Sequence, residues 1–372
     1  MSRKRFNGFD LSWLKYDISL TVKLFFYFCD MKTRLLLLIG ALAMTVASCS
    51  TDVDLYAEQK DIPVVYGLLD CNADTNYIRI THAIQASDNP LLNASNAAMS
   101  DYPGKLDVRL TEFRNGDSIR QIILDTITLH NKKPGIFYAP NQKVYYTATA
   151  LGKNSERYKY SYRLTVELPD RVLVTDADLV GSRDFGPISL ALNLSQTAWG
   201  LRIPFYFRPA LNASIYTVDM TFTYHEQRTP ESDTVPFTMM WHIGTYYETE
   251  LANHAEGDNY VFYYRSENFF RTLEDFIGAD TAVPGLKRYL TENPFTVNIT
   301  AGGDHLKQYL YYQDIVNQAN PNDSDFSTIP GAKGVFSSKM TKINRMRFAG
   351  TTLTELIADD RWGFVFMGGL EP

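Results

Sequence analysis

The sequence predicts an all-β-dominated fold: two tandem β-sandwich modules of immunoglobulin-like type, with one inserted amphipathic helix and short helices in the C-terminal module. Two observations lead to this prediction. Many short segments alternate apolar and polar residues with period two, and turn residues separate them at short intervals. The chain of 372 residues also contains 24 Tyr and 22 Phe, residue types that fit pleated surfaces packed against each other.

The first 48 residues are interpreted as targeting sequence rather than fold. Residues 1–30 fit no part of a signal and are read as a start-site extension, with Met31 as the true start; a long n-region is the alternative. Residues 31–48 have a short basic start, an apolar stretch from Leu35 to Val46 and small residues before Cys49. The apolar stretch is about half of the ~20 residues that a membrane-spanning helix needs, so a signal peptide is predicted.

The four residues Val46-Ala47-Ser48-Cys49 resemble the lipobox of bacterial lipoproteins. The resemblance implies cleavage between Ser48 and Cys49, with diacylglycerol on the cysteine thiol and an acyl chain on its new amine. Several acyl chains give stable anchoring, whereas a single chain gives marginal binding. Cys49 is therefore the predicted lipidation site and residues 49–60 form a polar tether, while an ordinary secretory signal with a chance cysteine is the alternative.

Composition limits the size and the partners of the mature chain. Cleavage leaves 324 residues, more than one hydrophobic core usually serves, so two domains are predicted. The removed part carries seven Lys or Arg and three Asp, which leaves 29 basic and 39 acidic residues and a net charge near −10. This charge disfavours nucleic acid as a partner. An acylated Cys49 leaves Cys71 without a disulfide partner, and we interpret Cys71 as a partly buried thiol rather than a nucleophile.

The N-terminal module is predicted over residues 61–172. Its clearest feature is a hairpin that reverses at Asn115-Gly116, a dipeptide that tolerates the positive φ angles of a tight turn. Pro169-Asp170 is predicted to close the module. The predicted strands are 62–69, 77–84, 106–113, 119–129, 143–150 and 157–168.

The loop between the first two strands is a weak candidate for a calcium loop. Asp70, Asn72, Asp74 and Asn76 place side-chain oxygens at alternate positions, as the opening of a calcium loop does. Thr75, however, occupies the position of the glycine that makes the sharp turn. An Asx-rich turn without a metal is the alternative.

The C-terminal module is predicted over residues 175–372 as a β-rich domain with a helix near 266–277. Ser266 is the predicted cap of that helix, its aromatic and aliphatic residues recur at helical spacing, and Gly278 ends it. The predicted strands are 188–194, 201–207, 215–224, 235–242, 295–301 and 334–338, and the predicted short helices are 305–316 and 351–358.

Four segments resemble an uncharacterised family of Bacteroidota outer-membrane lipoproteins with a domain of unknown function. They are Ile62-Pro-Val-Val-Tyr-Gly-Leu-Leu69, Tyr77-Ile-Arg-Ile80, Pro209-Ala-Leu-Asn-Ala-Ser-Ile-Tyr216 and Phe326-Ser-Thr-Ile-Pro-Gly-Ala-Lys-Gly-Val-Phe-Ser-Ser338. Genes of this family often accompany TonB-dependent receptors. The resemblance implies an envelope location and an all-β body with an inserted helix, and it implies no catalytic residues.

The resemblance to lipoproteins of this phylum also implies two surface features. Acidic residues after the acylated cysteine favour export to the cell surface, and Asp52 and Asp54 occupy such positions, though more sparsely than the usual signal. Proteins of this phylum are O-glycosylated at Asp-(Ser/Thr)-(small or aliphatic) sites. The candidate residues here are Ser118, Thr126, Thr234 and Thr281, of which Thr234 and Thr281 are favoured because they lie near predicted loops.

No catalytic, metal or cofactor motif is found. The six histidines lack the i, i+4 pairing that presents two metal ligands on one helix face. No nucleophile elbow, P-loop or dinucleotide-binding glycine pattern occurs. The adjacent carboxylates Asp359 and Asp360 could in principle serve glycoside hydrolysis, but a solvated helix end is the simpler interpretation.

The leading hypothesis is a non-catalytic, lipid-anchored outer-membrane protein that acts as an accessory or binding module, with a TonB-dependent receptor or another outer-membrane protein as partner. The first alternative is a structural or adhesive cell-surface component that assembles through an open strand edge. The second alternative is a glycan-active enzyme with an unrecognised site, which convergent carboxylates in a deep aromatic-lined cleft would favour.

Overall fold

The computed structural model describes residues 61–84, 100–135, 138–139, 141–152, 154–255, 257–278, 285–319, 326–349 and 351–366. The predicted start-site extension, the signal peptide, the tether, the cleavage site at Ser48 and Cys49, and Thr281 lie outside these ranges. Strands dominate the described residues, which confirms the prediction of an all-β-dominated fold.

Eighteen strands are assigned in the described part of the chain. They are β1 (Asp61–Asp70), β2 (Asn76–Ile84), β3 (Asp107–Arg114), β4 (Asp117–Ile123), β5 (Asp125–Leu129), β6 (Gln142–Thr147), β7 (Tyr160–Glu167), β8 (Val172–Asp178), β9 (Gly186–Pro187), β10 (Ala191–Leu192), β11 (Ile203–Arg208), β12 (Ile215–Gln227), β13 (Val235–Tyr247), β14 (Tyr260–Tyr264), β15 (Lys287–Leu290), β16 (Phe295–Gly302), β17 (Lys333–Phe348) and β18 (Phe364–Phe366).

The helices are fewer than the strands. They are α1 (Glu248–Ala252), α2 (Ser266–Ile277), α3 (Asp304–Ala319) and α4 (Thr352–Ala358), with a kinked 3-10 segment at Asn154–Lys159 and a 3-10 turn at Gln196–Ala198. Among the described residues, no helix is both long enough and apolar enough to cross a membrane.

Three sheets organise these elements. The largest has 11 strands in the order β18-β15-β12-β16-β17-β1-β2-β6-β5, with β13 paired to β12 and β10 paired to β17. A second sheet has the order β4-β3-β7-β8, and a third the order β14-β11-β9. Alternate residues of the strands are buried, as in β7 and β8, and the buried side chains of all three sheets form one continuous core.

The hairpin at Asn115-Gly116 is confirmed. Both residues have positive φ, 52° and 93°, which a two-residue hairpin turn of type I′ requires. The second strand, expected to continue over 119–129, is instead two strands. It breaks at the buried Leu124, after which β5 leaves the four-stranded sheet and pairs with β6 in the largest sheet. Alternation continues across this crossover, so the sequence pattern does not reveal the change of sheet.

The largest sheet draws strands from both predicted modules. β1 pairs in parallel with β17, from Val64 opposite Lys333 to Asp70 opposite Lys339. β8 spans the predicted boundary at 172–175 and pairs with β7. Contacts place the described residues of both predicted modules in one compact unit. Whether the two segments fold separately stays a prediction, and the β1–β17 pairing is the contact on which the answer depends.

Helix α2 lies where the sequence predicts it, but its start differs in detail. It covers Ser266–Ile277 and ends at Gly278, whose φ is 64°. Ser266 is buried as the first helical residue, and Arg265 is the N-cap without a side-chain hydrogen bond, so the predicted Ser266 cap is wrong. The helix buries Phe269, Phe270, Leu273 and Ile277 against the core, as its apolar stripe predicts.

Candidate interaction surface

Strand β13 forms one end of the largest sheet. It pairs antiparallel with β12 and with no other strand in the described part of the chain. Its inward side chains are anchored: Met239 and Trp241 are buried, and the Trp241 ring lies 5.8 Å from that of Phe269 on α2. Met240 points the other way and is 68% exposed. The backbone N–H and C=O groups on one edge of β13 therefore have no partner strand in the described part of the chain, while the face that carries Met239 and Trp241 is packed against the core.

Cross-strand contacts hold β13 in register with β12. The Thr238 and Thr223 hydroxyls are 3.0 Å apart, and His242 Nδ1 is 2.7 Å from Asp219 Oδ1. A register shift leaves Ile243 without an opposite residue, which is a β-bulge. Bulges twist an edge away from further pairing, so the regular part of this edge is residues 235–242.

The edge of β13 lacks the charges that usually protect edge strands. Residues 235–247 contain no Lys, Arg, Asp or Glu, and Pro236 interrupts hydrogen bonding only near the start. Strand β5, at another end of the same sheet, differs because it has five residues and begins with Asp125, which pairs with Lys105 at 2.8 Å. Short length and a charged residue therefore protect β5 against pairing with another chain, and most of β13 lacks both features. The sequence shows the uncharged run, whereas only the strand order shows that it lies at an edge.

The candidate calcium loop has the geometry of an Asx-rich turn. Asp70 Oδ1 accepts a bond from the Asn72 backbone at 2.9 Å, and Asn76 Oδ1 accepts one from the Asp70 backbone at 2.6 Å. Asn72 Oδ1 accepts from the Arg157 guanidinium at 2.6 Å, so a cation already occupies that oxygen. In the described ranges no group of three or more His, Cys, Asp or Glu side chains could hold a metal ion. The local bonds favour the Asx-turn interpretation, and calcium binding itself stays a prediction.

The candidate glycosylation residues within the described ranges lie in three different environments. Ser118 is exposed on β4, Thr126 is half-buried on β5, and Thr234 is exposed directly before β13. The favoured Thr234 is thus accessible in a loop, as expected. Modification of these residues stays a prediction.

Cys71 is buried with its thiol 3.4 Å from the Arg157 guanidinium. Burial raises the pKa of this thiol above its ordinary value, and nearby Arg157 opposes that effect only in part. A raised pKa reduces the thiolate that a nucleophile needs. The environment therefore supports the interpretation of Cys71 as a structural thiol.

Two of the segments that carry the family resemblance make structural contacts. Ser338 Oγ accepts a hydrogen bond from the Val180 backbone at 2.8 Å and donates one to the Asp178 carbonyl at 2.5 Å. The Tyr216 hydroxyl donates to the Ala210 carbonyl at 3.1 Å. These buried hydroxyls satisfy backbone groups that would otherwise be unpaired, so these two residues fix backbone positions.

An open cleft of about 530 Å³ lies beside these segments and is lined by the carboxylates of Asp176, Asp178, Glu248 and Asp304. Asp176 accepts two bonds from Arg163, at 2.8 and 3.0 Å. Glu248 accepts one from the Tyr260 hydroxyl at 3.3 Å. Asp304 accepts one from the Gln308 side chain at 2.5 Å. Three of the four carboxylates are thus engaged in structural bonds, which does not favour a catalytic pair at this place.

Comparison with known proteins leaves the family open. No protein-family model and no curated protein matches the chain. One solved structure to which the chain is similar comes from work on host cell surface retention of a 1.5-MDa bacterial ice-binding adhesin; the sequences are 8% identical and the TM-score is 0.16. The match covers 78% of this chain and 65% of that one. A likeness this weak carries no argument about function, which is therefore argued from the residues of this chain.

Proposed function

We propose that this chain is a non-catalytic envelope lipoprotein, anchored through acyl chains on Cys49, that binds another outer-membrane protein by strand addition at β13. The observation that carries the proposal is the uncharged edge over residues 235–242, along which no second strand pairs in the part of the chain that the structure describes. An extended segment of a partner gains main-chain hydrogen bonds along such an edge, and side-chain contacts on both faces supply specificity. A TonB-dependent receptor is the partner that the sequence resemblance favours.

The chemistry of the edge defines the partner segment. At about 3.4 Å per residue, the regular part of β13 offers an edge of roughly 27 Å. Met240 and Val235 are exposed apolar side chains on this strand, and charged side chains are lacking. An uncharged strand with apolar residues on its outer face is therefore the complementary occupant, because placing a charge opposite these residues gains no ion pair and loses solvation.

The test is recovery of the native lipoprotein with its partner from outer membranes. Met240→Lys places a charge in the middle of the edge, a feature that protects natural edge strands, and is expected to abolish partner recovery. Ile343→Lys is the matched control, because Ile343 is 63% exposed on β17, away from this edge, and should leave recovery unchanged. Equal recovery with both variants would refute strand addition at β13.

Self-assembly through the same edge is the second candidate function, because two copies of an uncharged edge can pair antiparallel. Light scattering of the detergent-solubilised lipoprotein separates the two. A concentration-dependent dimer lost in Met240→Lys favours the structural or adhesive role, whereas a monomer that recovers a receptor favours the accessory role.

Membrane anchoring has its own test. Cells that make the native chain are expected to incorporate labelled palmitate into the protein, and Cys49→Ser is expected to remove both the label and the membrane association. Label retained in Cys49→Ser would overturn the predicted lipidation site.

A further inference from the structure

A small groove on the C-terminal part of the chain combines aromatic rings with balanced charges. It has a volume of about 330 Å³ and is bounded by Trp199 and Gly200, by one side of α2, and by the turn that follows α4. The lining side chains are Trp199, Glu267, Phe270, Arg271, Glu274, Arg361 and Trp362. The volume is at the lower end of the range for small-molecule sites.

Trp199 provides an aromatic platform at this groove. Its ring centroid lies 5.9 Å from that of the buried Phe270, yet 47% of its surface stays exposed. The other two described tryptophans, Trp241 and Trp362, are buried. Exposing a large indole is unfavourable in water, and Trp combines a flat apolar face with an N–H donor, which suits a ligand that is itself apolar on one side and polar at its rim.

The polar side chains around the platform are partly fixed. Glu267 accepts a bond from the Gly200 backbone at 3.3 Å and pairs with Arg265 at 3.3 Å. Arg361 is held by Asp359 at 2.7 Å, and its guanidinium lies 5.1 Å from the centre of the Trp362 ring. Glu274 and Arg271 are exposed on α2. The lining thus contains two carboxylates and two guanidinium groups, and their formal charges cancel.

We infer that this groove binds one sugar unit of a neutral oligosaccharide, with the C–H face of the pyranose ring on Trp199 and its hydroxyls bonded to Glu274 and Arg271. Cancelled charges favour a neutral ligand over an acidic or basic one. Carboxylates and guanidinium groups are acceptors and paired donors that match vicinal hydroxyls. The inference concerns a second site on the chain and does not depend on strand addition at β13.

The groove is suited to binding rather than to hydrolysis. Glu267 is already held by the Gly200 backbone and by Arg265, both at 3.3 Å, which leaves its carboxylate poorly placed to protonate a leaving group. Backbone hydrogen bonds, first its own and then that of Gly200, together with Arg265 hold the pKa of Glu267 below its ordinary value. A general acid needs a raised pKa, so Glu267 is not suited to protonating a leaving group.

The experiment is titration of the full mature chain with maltohexaose, cellohexaose, xylohexaose and chitohexaose, followed by tryptophan fluorescence and calorimetry. Because Trp199 is the exposed tryptophan of the three that the structure describes, stacking is expected to shift its emission to shorter wavelength. Trp199→Ala is expected to weaken binding at least about tenfold, as removal of an aromatic anchor does. Tyr311→Ala, which removes an aromatic ring exposed on α3, is the control and should leave binding unchanged.

Two further variants keep the inference falsifiable if Trp199→Ala does not fold. Trp199→Phe preserves a stacking face and should retain binding within a few-fold by calorimetry. Glu274→Ala on the exposed side of α2 should weaken binding about three- to tenfold through a lost hydrogen bond. Absence of binding by all four neutral oligosaccharides at millimolar concentration would overturn the inference. So would equal affinity of Trp199→Ala and the native chain, or binding of a Phe-containing tripeptide in place of every sugar.

Discussion

Gly334 joins the two halves of the largest sheet, and replacing it with alanine tests how much that junction stabilises the fold. The residue lies opposite Val65 in the parallel β1–β17 pairing and has a φ of +111°. A Cβ at this position would lie well inside 3.0 Å of the Val65 carbonyl oxygen, a separation that real Cβ atoms essentially never show. Because the obstacle is backbone rather than a flexible side chain, β1 must move away from β17.

The loss of folding free energy in Gly334→Ala follows from two contributions, the backbone conformation at residue 334 and the weakened hydrogen bonds between β1 and β17. The backbone conformation costs a non-glycine residue about 1–3 kcal/mol. Displacing β1 at Val65 weakens about two ladder hydrogen bonds, each with a net contribution near 1 kcal/mol. Gly334→Ala is therefore expected to lower the free energy of unfolding by about 3–5 kcal/mol, measured by urea denaturation of the mature chain with serine at position 49.

Gly104→Ala is the matched control. Gly104 also has a positive φ, +76°, but a Cβ there would meet no atom within 4 Å. Its expected loss is about 1–2 kcal/mol, from backbone conformation alone. If the two variants lose the same free energy, the clash at Val65 contributes nothing, and the view of β1–β17 as a tight junction is refuted.

Three other predictions address the N-terminal half. A fragment of residues 58–178 should lack cooperative unfolding by circular dichroism, because β1 loses its β17 partner; a cooperatively folded fragment would instead support two separable modules. Glu112→Ala should cost about 3–5 kcal/mol in urea denaturation, because the buried Glu112 accepts bonds from Arg120 at 2.7 Å and from Tyr162; a loss below about 1 kcal/mol would contradict this. Cys71 should react with Ellman's reagent only after unfolding, since burial raises its pKa; rapid labelling of the native chain would show an accessible thiolate.

The turns and helices that are determined by residues close together in the chain could be predicted from the sequence. The Asn115-Gly116 turn and the amphipathic α2 were predictable because turn chemistry and helical spacing act over a few residues. The sequence predicts that Pro169-Asp170 closes the N-terminal module; in the structure the Leu168 N–H donates to the Arg171 carbonyl at 2.8 Å, so these residues form a tight turn between β7 and β8. The sequence thus predicts the turn but not β8, the strand that follows it.

Contacts between residues that lie far apart in the chain could not be predicted from the sequence. The parallel pairing of β1 with β17 joins residues about 270 positions apart, and no periodicity records such a partner. The same limit applies to both candidate sites. The uncharged run of β13 can be read from the sequence, but its place at an edge follows from the order of all strands in the sheet. Trp199 and Glu274 become neighbours only when the turn before β11 packs against α2.

The contrast between the edges of this protein argues that the open β13 edge has a use. The largest sheet has more than two end strands, and an unprotected edge strand risks pairing with the wrong chain. This chain protects β5 by its short length and Asp125, and β4 carries Asp117 and Arg120. Charged residues thus occur at these other edges, whereas the exposed residue in the middle of β13 is Met240. The absence of a charge there is therefore specific to β13 among the edges compared. The bulge at Ile243 disfavours pairing beyond residues 235–242, so the partner strand that we propose would pair over roughly eight residues.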